Sequence, residues 1–130
     1  MIGYPLSHSF SPGYFAKKFE NEGITDCDYK SYPIATIDEL DDLIQDDLVG
    51  INVTIPYKEQ VIPYMTEVSD AVKAIGAVNT IINRKGKLYG YNSDVVGFQL
   101  SLEKWIGIEN LPEKAPVSYT HLTLPTICSV

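Results

Sequence analysis

Val49-Gly50-Ile51-Asn52-Val53-Thr54-Ile55-Pro56-Tyr57-Lys58 is the stretch whose reading decides the fold. The β-branched run from Val49 to Ile55 predicts a short buried strand. Pro56 ends that strand and suits the first position of a new helix. The stretch is therefore a strand-to-helix corner, with Lys58 just past the strand's carboxyl end. In open α/β sheets that edge is where ligands bind. A lone lysine there is ordinarily a solvated charge, so the rest of the chain has to supply its partners.

Working outward, the segments on either side alternate helix and strand signals. Ser11 and Pro12 predict an N-cap and first turn for a helix running to about Glu22, with Phe15 and Phe19 on one face and Gly23 closing it. Cys27 to Ile34 predicts a Tyr-rich strand. Thr36 and Glu39 have capping-box spacing, and Ile37, Leu40 and Ile44 give the next helix a buried stripe. Past the corner, a short helix from Tyr57, another from about Ser69 to Ile75, and a hairpin around Arg84-Lys85-Gly86 are expected. Asp94 predicts the cap of a last helix, with Val95, Phe98, Leu102 and Trp105 on one apolar face. The expected fold class is α/β: a mostly parallel, mixed sheet with helices on both faces, in three α/β/α layers.

Composition narrows the function classes. The 130 residues and 45% hydrophobic content allow one domain with a real core. No run of about 18 apolar residues occurs, so no membrane span is expected, and no signal segment opens the chain. A net charge of −7 argues against nucleic acid as a partner. Ten acidic residues and one base, Lys30, lie between Glu20 and Asp47. They read as the solvated outer face of two helices rather than as a docking surface for a basic partner. Cys27 and Cys128 are too few and too far apart for a disulfide framework or a metal site, which makes a reducing cytoplasm the default.

The two ends differ from the middle. Met1-Ile2-Gly3 leaves little room for a first strand. Residues 115–130 contain no Asp, Glu, Lys or Arg and show neither helix period nor clean alternation. They read as a segment foreign to the fold, such as vector read-through or a shifted frame, so His121 and Cys128 carry no functional argument. A native strand around Tyr119 to Leu124 is the other reading.

Several polar residues sit where a fold does not need them. Ser9 and Ser11 flank Phe10 just before a helix start; if the segment is extended, both hydroxyls share a face. Beside free helix-end N–H groups they would seat a carboxylate or phosphate. Capping alone accounts for Ser11, and for the pair the two readings balance. Asn79-Thr80 follows Gly76-Ala77-Val78, and Asn92-Ser93-Asp94 follows Gly90-Tyr91. Loop-backbone satisfaction and capping are the structural readings of Asn79 and Asp94. His8 lacks a fixed acid or nucleophile and reads as a structural hydrogen-bonder. No metal-ligand cluster, nucleophile elbow, G-x-G-x-x-G or Walker loop occurs.

Together these motifs carry more than each alone. Gly3 to Pro12, Asn52 to Lys58, Gly76 to Thr80, and Asn92-Ser93-Asp94 with Gly97, in that order, closely resemble shikimate dehydrogenase over roughly residues 1 to 105. The resemblance implies NADPH-dependent reduction of 3-dehydroshikimate to shikimate, a step toward aromatic amino acids. It also implies a substrate domain followed by a Rossmann domain, with the active site in the cleft between them. By motif, Ser9 and Ser11 would hold the substrate carboxylate, and Thr54, Asn79 and Asp94 would bind the ring hydroxyl side. Lys58 would be the catalytic acid/base paired with Asp94, and Asp70 would lie near the cofactor, NADP. The chemistry agrees, since a lysine ammonium beside a forming alkoxide stabilises and protonates it. Gly13-Tyr14-Phe15 stands where many members have His-Asn, and Ser93 replaces the usual Thr.

The resemblance stops before the family's glycine-rich nucleotide loop. Residues 1–105 are thus expected to be the substrate-binding domain, residues 106–114 the start of an interdomain linker, and residues 115–130 a non-native tail. Three readings follow. The chain is the substrate-binding half of a two-domain reductase, inactive alone; or a free-standing, non-catalytic module for shikimate-like acids; or an acidic interaction domain that has lost the site. The intact polar motifs disfavour the third, and the missing loop favours the first. A small-molecule partner, no nucleic acid, no membrane and self-association as a homodimer are the partner expectations.

Overall fold

The computed structural model describes residues 1–7, 9–44 and 48–107, together with the backbone of 117–119 and 122–124. His8, residues 108–114 of the expected linker, His121 and Cys128 lie outside the described residues. In chain order the elements are β1 (Ile2–Gly3), α1 (Ser11–Glu22), β2 (Tyr32–Pro33), a 3₁₀ turn (Ile37–Glu39) leading into α2 (Leu40–Leu43), and β3 (Gly50–Asn52). Then come α3 (Tyr57–Gln60), a second 3₁₀ turn (Ile62–Tyr64), β4 (Glu67–Val68), α4 (Asp70–Ile75), β5 (Thr80–Arg84), β6 (Lys87–Tyr91) and α5 (Ser93–Ile106). Finally β7 (Val117–Tyr119) pairs antiparallel with β8 (Leu122–Leu124).

The fold is α/β with a mixed sheet. β3, β5, β6 and β4 form one ladder in that order. β1 pairs parallel with β2, and a single parallel bridge from Ile2 to Val53 carries that pair alongside β3. Only β5 runs against the others, because it pairs antiparallel with both β3 and β6 while β4 pairs parallel with β6. The carboxyl ends of β1, β3 and β6 therefore share one edge with the start of β5. The register makes this concrete: Asn52 faces Thr80, and Thr80 faces Tyr91.

Alternation along β3 sorts its side chains. Ile51 and Val53 are buried and join Ile2, Leu40, Val61, Val72, Val78, Ile81 and Leu88 in one core, leaving Asn52 and Thr54 on the opposite side. The hairpin turn falls at Lys85-Gly86, whose φ angles of 54° and 80° give the left-handed pair that a two-residue β-turn requires.

Several expectations are corrected. The strand predicted over Val49 to Ile55 is only Gly50–Asn52 plus the bridge at Val53, since Val49 is exposed and the chain already turns at Ile55. Pro56 occupies the cap position of α3 rather than its first turn. The strand predicted over Cys27 to Ile34 shrinks to Tyr32–Pro33, because β1 offers only two residues to pair with. Phe10, not Ser11, holds the cap position of α1, and its helical φ and ψ rule out the extended Ser9-Phe10-Ser11 geometry. Asn92, not Asp94, caps α5. In that helix Val95 and Phe98 pack on Ala77, but Trp105 is 82% exposed, so the apolar face is covered only over its first turns. β4 was not legible, being two residues long and paired only with β6.

Candidate functional site

Lys58 and Asp94 meet. Lys58 Nζ donates to Asp94 Oδ2 at 2.7 Å, across 36 residues of sequence. Their side chains retain 15% and 33% of their exposure, so the pair is sheltered but open on one side. Charge-assisted bonds of this length are roughly twice as strong as neutral ones.

Each partner is aimed by its own element. Tyr57 plugs the core and donates its phenol proton to the Ile34 carbonyl at 2.7 Å. The next helical residue is turned by about 100°, which takes Lys58 off the core. Its carbonyl accepts from Val78 N at 2.7 Å, locking α3 to the segment before β5. Asp94 sits in the first turn of α5. There the Asn92 side chain accepts from the backbone N–H of Asp94 and Val95, and its Nδ2 donates to the Ala77 carbonyl at 3.0 Å. An acidic residue at that position is also favoured by the helix dipole.

A cavity of about 360 Å³ opens beside the pair, within the range of small-molecule sites. Thr54, Lys58, Asn79 and Asp94 line it, together with Ser11 on the α1 side. Asn79 is buried, and its side-chain oxygen accepts from Ser93 N at 3.0 Å and Thr80 Oγ1 at 2.9 Å. Ser93 thus does structural work that motif matching alone did not assign.

Of the seven residues singled out from sequence, five line this cavity. Ser9 does not: its hydroxyl donates to Met1 Sδ at 3.3 Å and accepts from Ser11 N at 3.4 Å, which places it beside Ser11 rather than on the cavity wall. Asp70 does not either. It stands at the start of α4 with an almost fully exposed side chain, bonded to Lys73 at 2.9 Å. The Lys73 ammonium, first by that hydrogen bond and then by its charge, holds the Asp70 carboxyl below its usual range.

Five lining residues, Met1, Phe15, Asn52, Val53 and Ile55, had not been assigned to a site. The signal for Asn52 was present: with Ile51 and Val53 inward, Asn52 must share a face with Thr54. Phe15 was read as packing, and it does stack on Tyr29. Among the described residues, no group of three or more His, Cys, Asp or Glu side chains could hold a metal, and no helix is long and apolar enough to cross a membrane.

Fold and cavity together define an α/β small-molecule-binding domain with an amine–carboxylate pair at the carboxyl edge of its sheet. The family model for the shikimate dehydrogenase substrate binding domain matches residues 1–81. A shikimate dehydrogenase (NADP(+)) from Halothermothrix orenii is 40% identical over 125 residues, covering 90% of this chain and 41% of the relative. The crystal structure of shikimate dehydrogenase from Aquifex aeolicus superposes with a TM-score of 0.70 at 38% identity, over 87% of this chain and 42% of that one. That of shikimate 5-dehydrogenase from Thermus thermophilus, in complex with shikimate, gives 0.71 at 30% identity, over 88% and 43%. The chain belongs to the shikimate dehydrogenase family, in its substrate-binding domain. It spans about two fifths of the length of the curated relatives it matches.

Proposed function

We propose that this chain supplies the substrate-binding and proton-transfer half of an enzyme that reduces 3-dehydroshikimate to shikimate. The observation that carries this reading is the 2.7 Å Lys58–Asp94 pair on the wall of a cavity also lined by Ser11, Thr54 and Asn79. Ser11, with Ser9 beside it, receives the substrate carboxylate; Thr54 and Asn79 take the ring hydroxyl side. As the ketone becomes an alkoxide, the Lys58 ammonium stabilises the forming charge and delivers the proton to that oxygen. Asp94 holds the amine aimed through their 2.7 Å bond, and its second oxygen accepts from a substrate hydroxyl.

NADP, when bound, supplies the hydride chemistry. The residues described here do not fit that cofactor: the sequence has no G-x-G-x-x-G turn to cradle a pyrophosphate, and one exposed carboxylate, Asp70, is not a dinucleotide seat. In this reading residues 1–105 are the substrate domain, residues 106–114 the start of an interdomain linker, and residues 115–130, which carry no charged side chain, a non-native tail. A cytoplasmic setting and a homodimer complete the proposal, with exposed Leu100 and Trp105 on α5 offering apolar surface for association.

The test is calorimetric titration of the 130-residue chain with shikimate. Binding is expected in the folded protein, together with no NADPH consumption when 3-dehydroshikimate is supplied. A folded sample that gives no heat at millimolar shikimate contradicts the substrate assignment, and steady NADPH turnover contradicts the assignment as half a site.

A further inference from the structure

One aromatic residue stands behind the cavity wall and touches side chains from two different elements that line it. Tyr29, between α1 and β2, donates its phenol proton to Asn52 Oδ1 at 2.9 Å. Its ring stacks on Phe15 with centroids 4.4 Å apart and planes 11° from parallel. Ser11, Phe15 and Asn52 line the cavity, whereas Tyr29 does not. Tyr29 therefore ties helix α1 to the edge of β3 directly behind the site. Burial pushes the phenol above its ordinary range, so it is a neutral donor at physiological pH.

An asparagine amide can turn either its oxygen or its two N–H donors toward a ligand. At Asn52 the choice is set from behind. With Oδ1 taken by the Tyr29 proton, the Nδ2 donors are left for a ligand in the cavity that Asn52 lines. We propose that Tyr29 is a positioning residue: it locks Asn52 with its N–H donors facing the cavity, adding a donor to the Ser11 hydroxyl in a seat for a carboxylate. This rests on the reading of the cavity as a site for a shikimate-type acid. A carboxylate only accepts hydrogen bonds, so a reversed amide would set oxygen against oxygen. A neutral ester draws far less on the same donors. The Tyr29 hydroxyl thus sets a preference for the anion without touching it.

Tyr29→Phe removes the hydroxyl and keeps the ring on Phe15. Titration of both proteins with shikimate and with its methyl ester reads the preference directly. The variant is expected to bind shikimate roughly three- to tenfold more weakly, the loss of one hydrogen bond, while its affinity for the ester changes less than about twofold. Unchanged shikimate affinity, or an equal loss for acid and ester, overturns the proposal. The side-chain amide signals of Asn52 in the free protein, assigned by their absence in Asn52→Asp, give a readout that needs no ligand. They move in Tyr29→Phe if the phenol holds the amide. Should the parent chain bind neither compound, the shikimate reading fails by itself, and unmoved amide signals overturn the Tyr29 proposal separately.

Discussion

Gly3→Ala should damage fold and site together. A methyl group built on Gly3 lands 2.4 Å from Thr54 Cγ2, 2.8 Å from Leu6 Cδ2 and 3.0 Å from the Ile55 carbonyl oxygen. Carbon pairs are comfortable at about 3.5–4.0 Å, so Thr54 must retreat by roughly 1 Å or more. It has little freedom to do so, because its N–H donates to the Ile2 carbonyl at 3.0 Å and the next carbonyl, Ile55, accepts from Tyr4 N at 2.9 Å. Overpacking of this kind costs about 1–3 kcal/mol. For a domain of about 100 residues, each kcal/mol lowers Tm by roughly 4–8 °C. Urea unfolding and a thermal scan measure the loss, and shikimate titration should show weakened binding as well, because the displaced Thr54 lines the cavity. Gly13→Ala is the matched control: it lies inside α1 with nothing within 4 Å of the added methyl, and should raise stability by about 0.5–1 kcal/mol. A Gly3→Ala protein with the parent's unfolding midpoint and affinity would refute the reasoning.

Asn92→Ala removes the cap of α5 and strands the buried Ala77 carbonyl. It should cost about 1–3 kcal/mol in urea unfolding and weaken shikimate binding through Asp94; an unchanged midpoint argues against that role. Tyr57→Phe deletes the 2.7 Å bond to the Ile34 carbonyl inside the core, for an expected loss of about 1–2 kcal/mol with the site geometry retained. Equal stability of the two proteins would show that bond to be dispensable.

Much of this arrangement was legible because local chemistry and tertiary structure agree. Thr36 and Glu39 form their capping box, with the Glu39 carboxylate accepting from Ala35 N and Thr36 N. Ser69 accepts from Val72 N at the start of α4, and Lys85-Gly86 turns the hairpin. Element lengths were less legible. β-propensity in Val49 and Ile55 could not reveal that the ladder ends at Asn52, because ladder length depends on partner strands distant in sequence. The caps of α1 and α5 were misplaced by one and two residues: Phe10 takes the cap position of α1 without a side-chain cap bond, and at α5 Asn92 competes better than Asp94 by reaching both the helix N–H groups and the Ala77 carbonyl. The meeting of Lys58 with Asp94 was expected from the resemblance to shikimate dehydrogenase, and the place of Lys58 from the strand that ends just before it. Tyr29 was hidden because its role lies entirely in contacts across the fold.

The central claim is that Lys58 and Asp94 work as one unit on the cavity wall, and a double-mutant cycle measures it most directly. Lys58→Met, Asp94→Asn and the combined variant are titrated with shikimate beside the parent chain. The bonded geometry predicts a coupling of about 0.5–3 kcal/mol, the double variant losing less than the sum of the single losses. Simple additivity would mean that the two groups act independently, contrary to this account of the site.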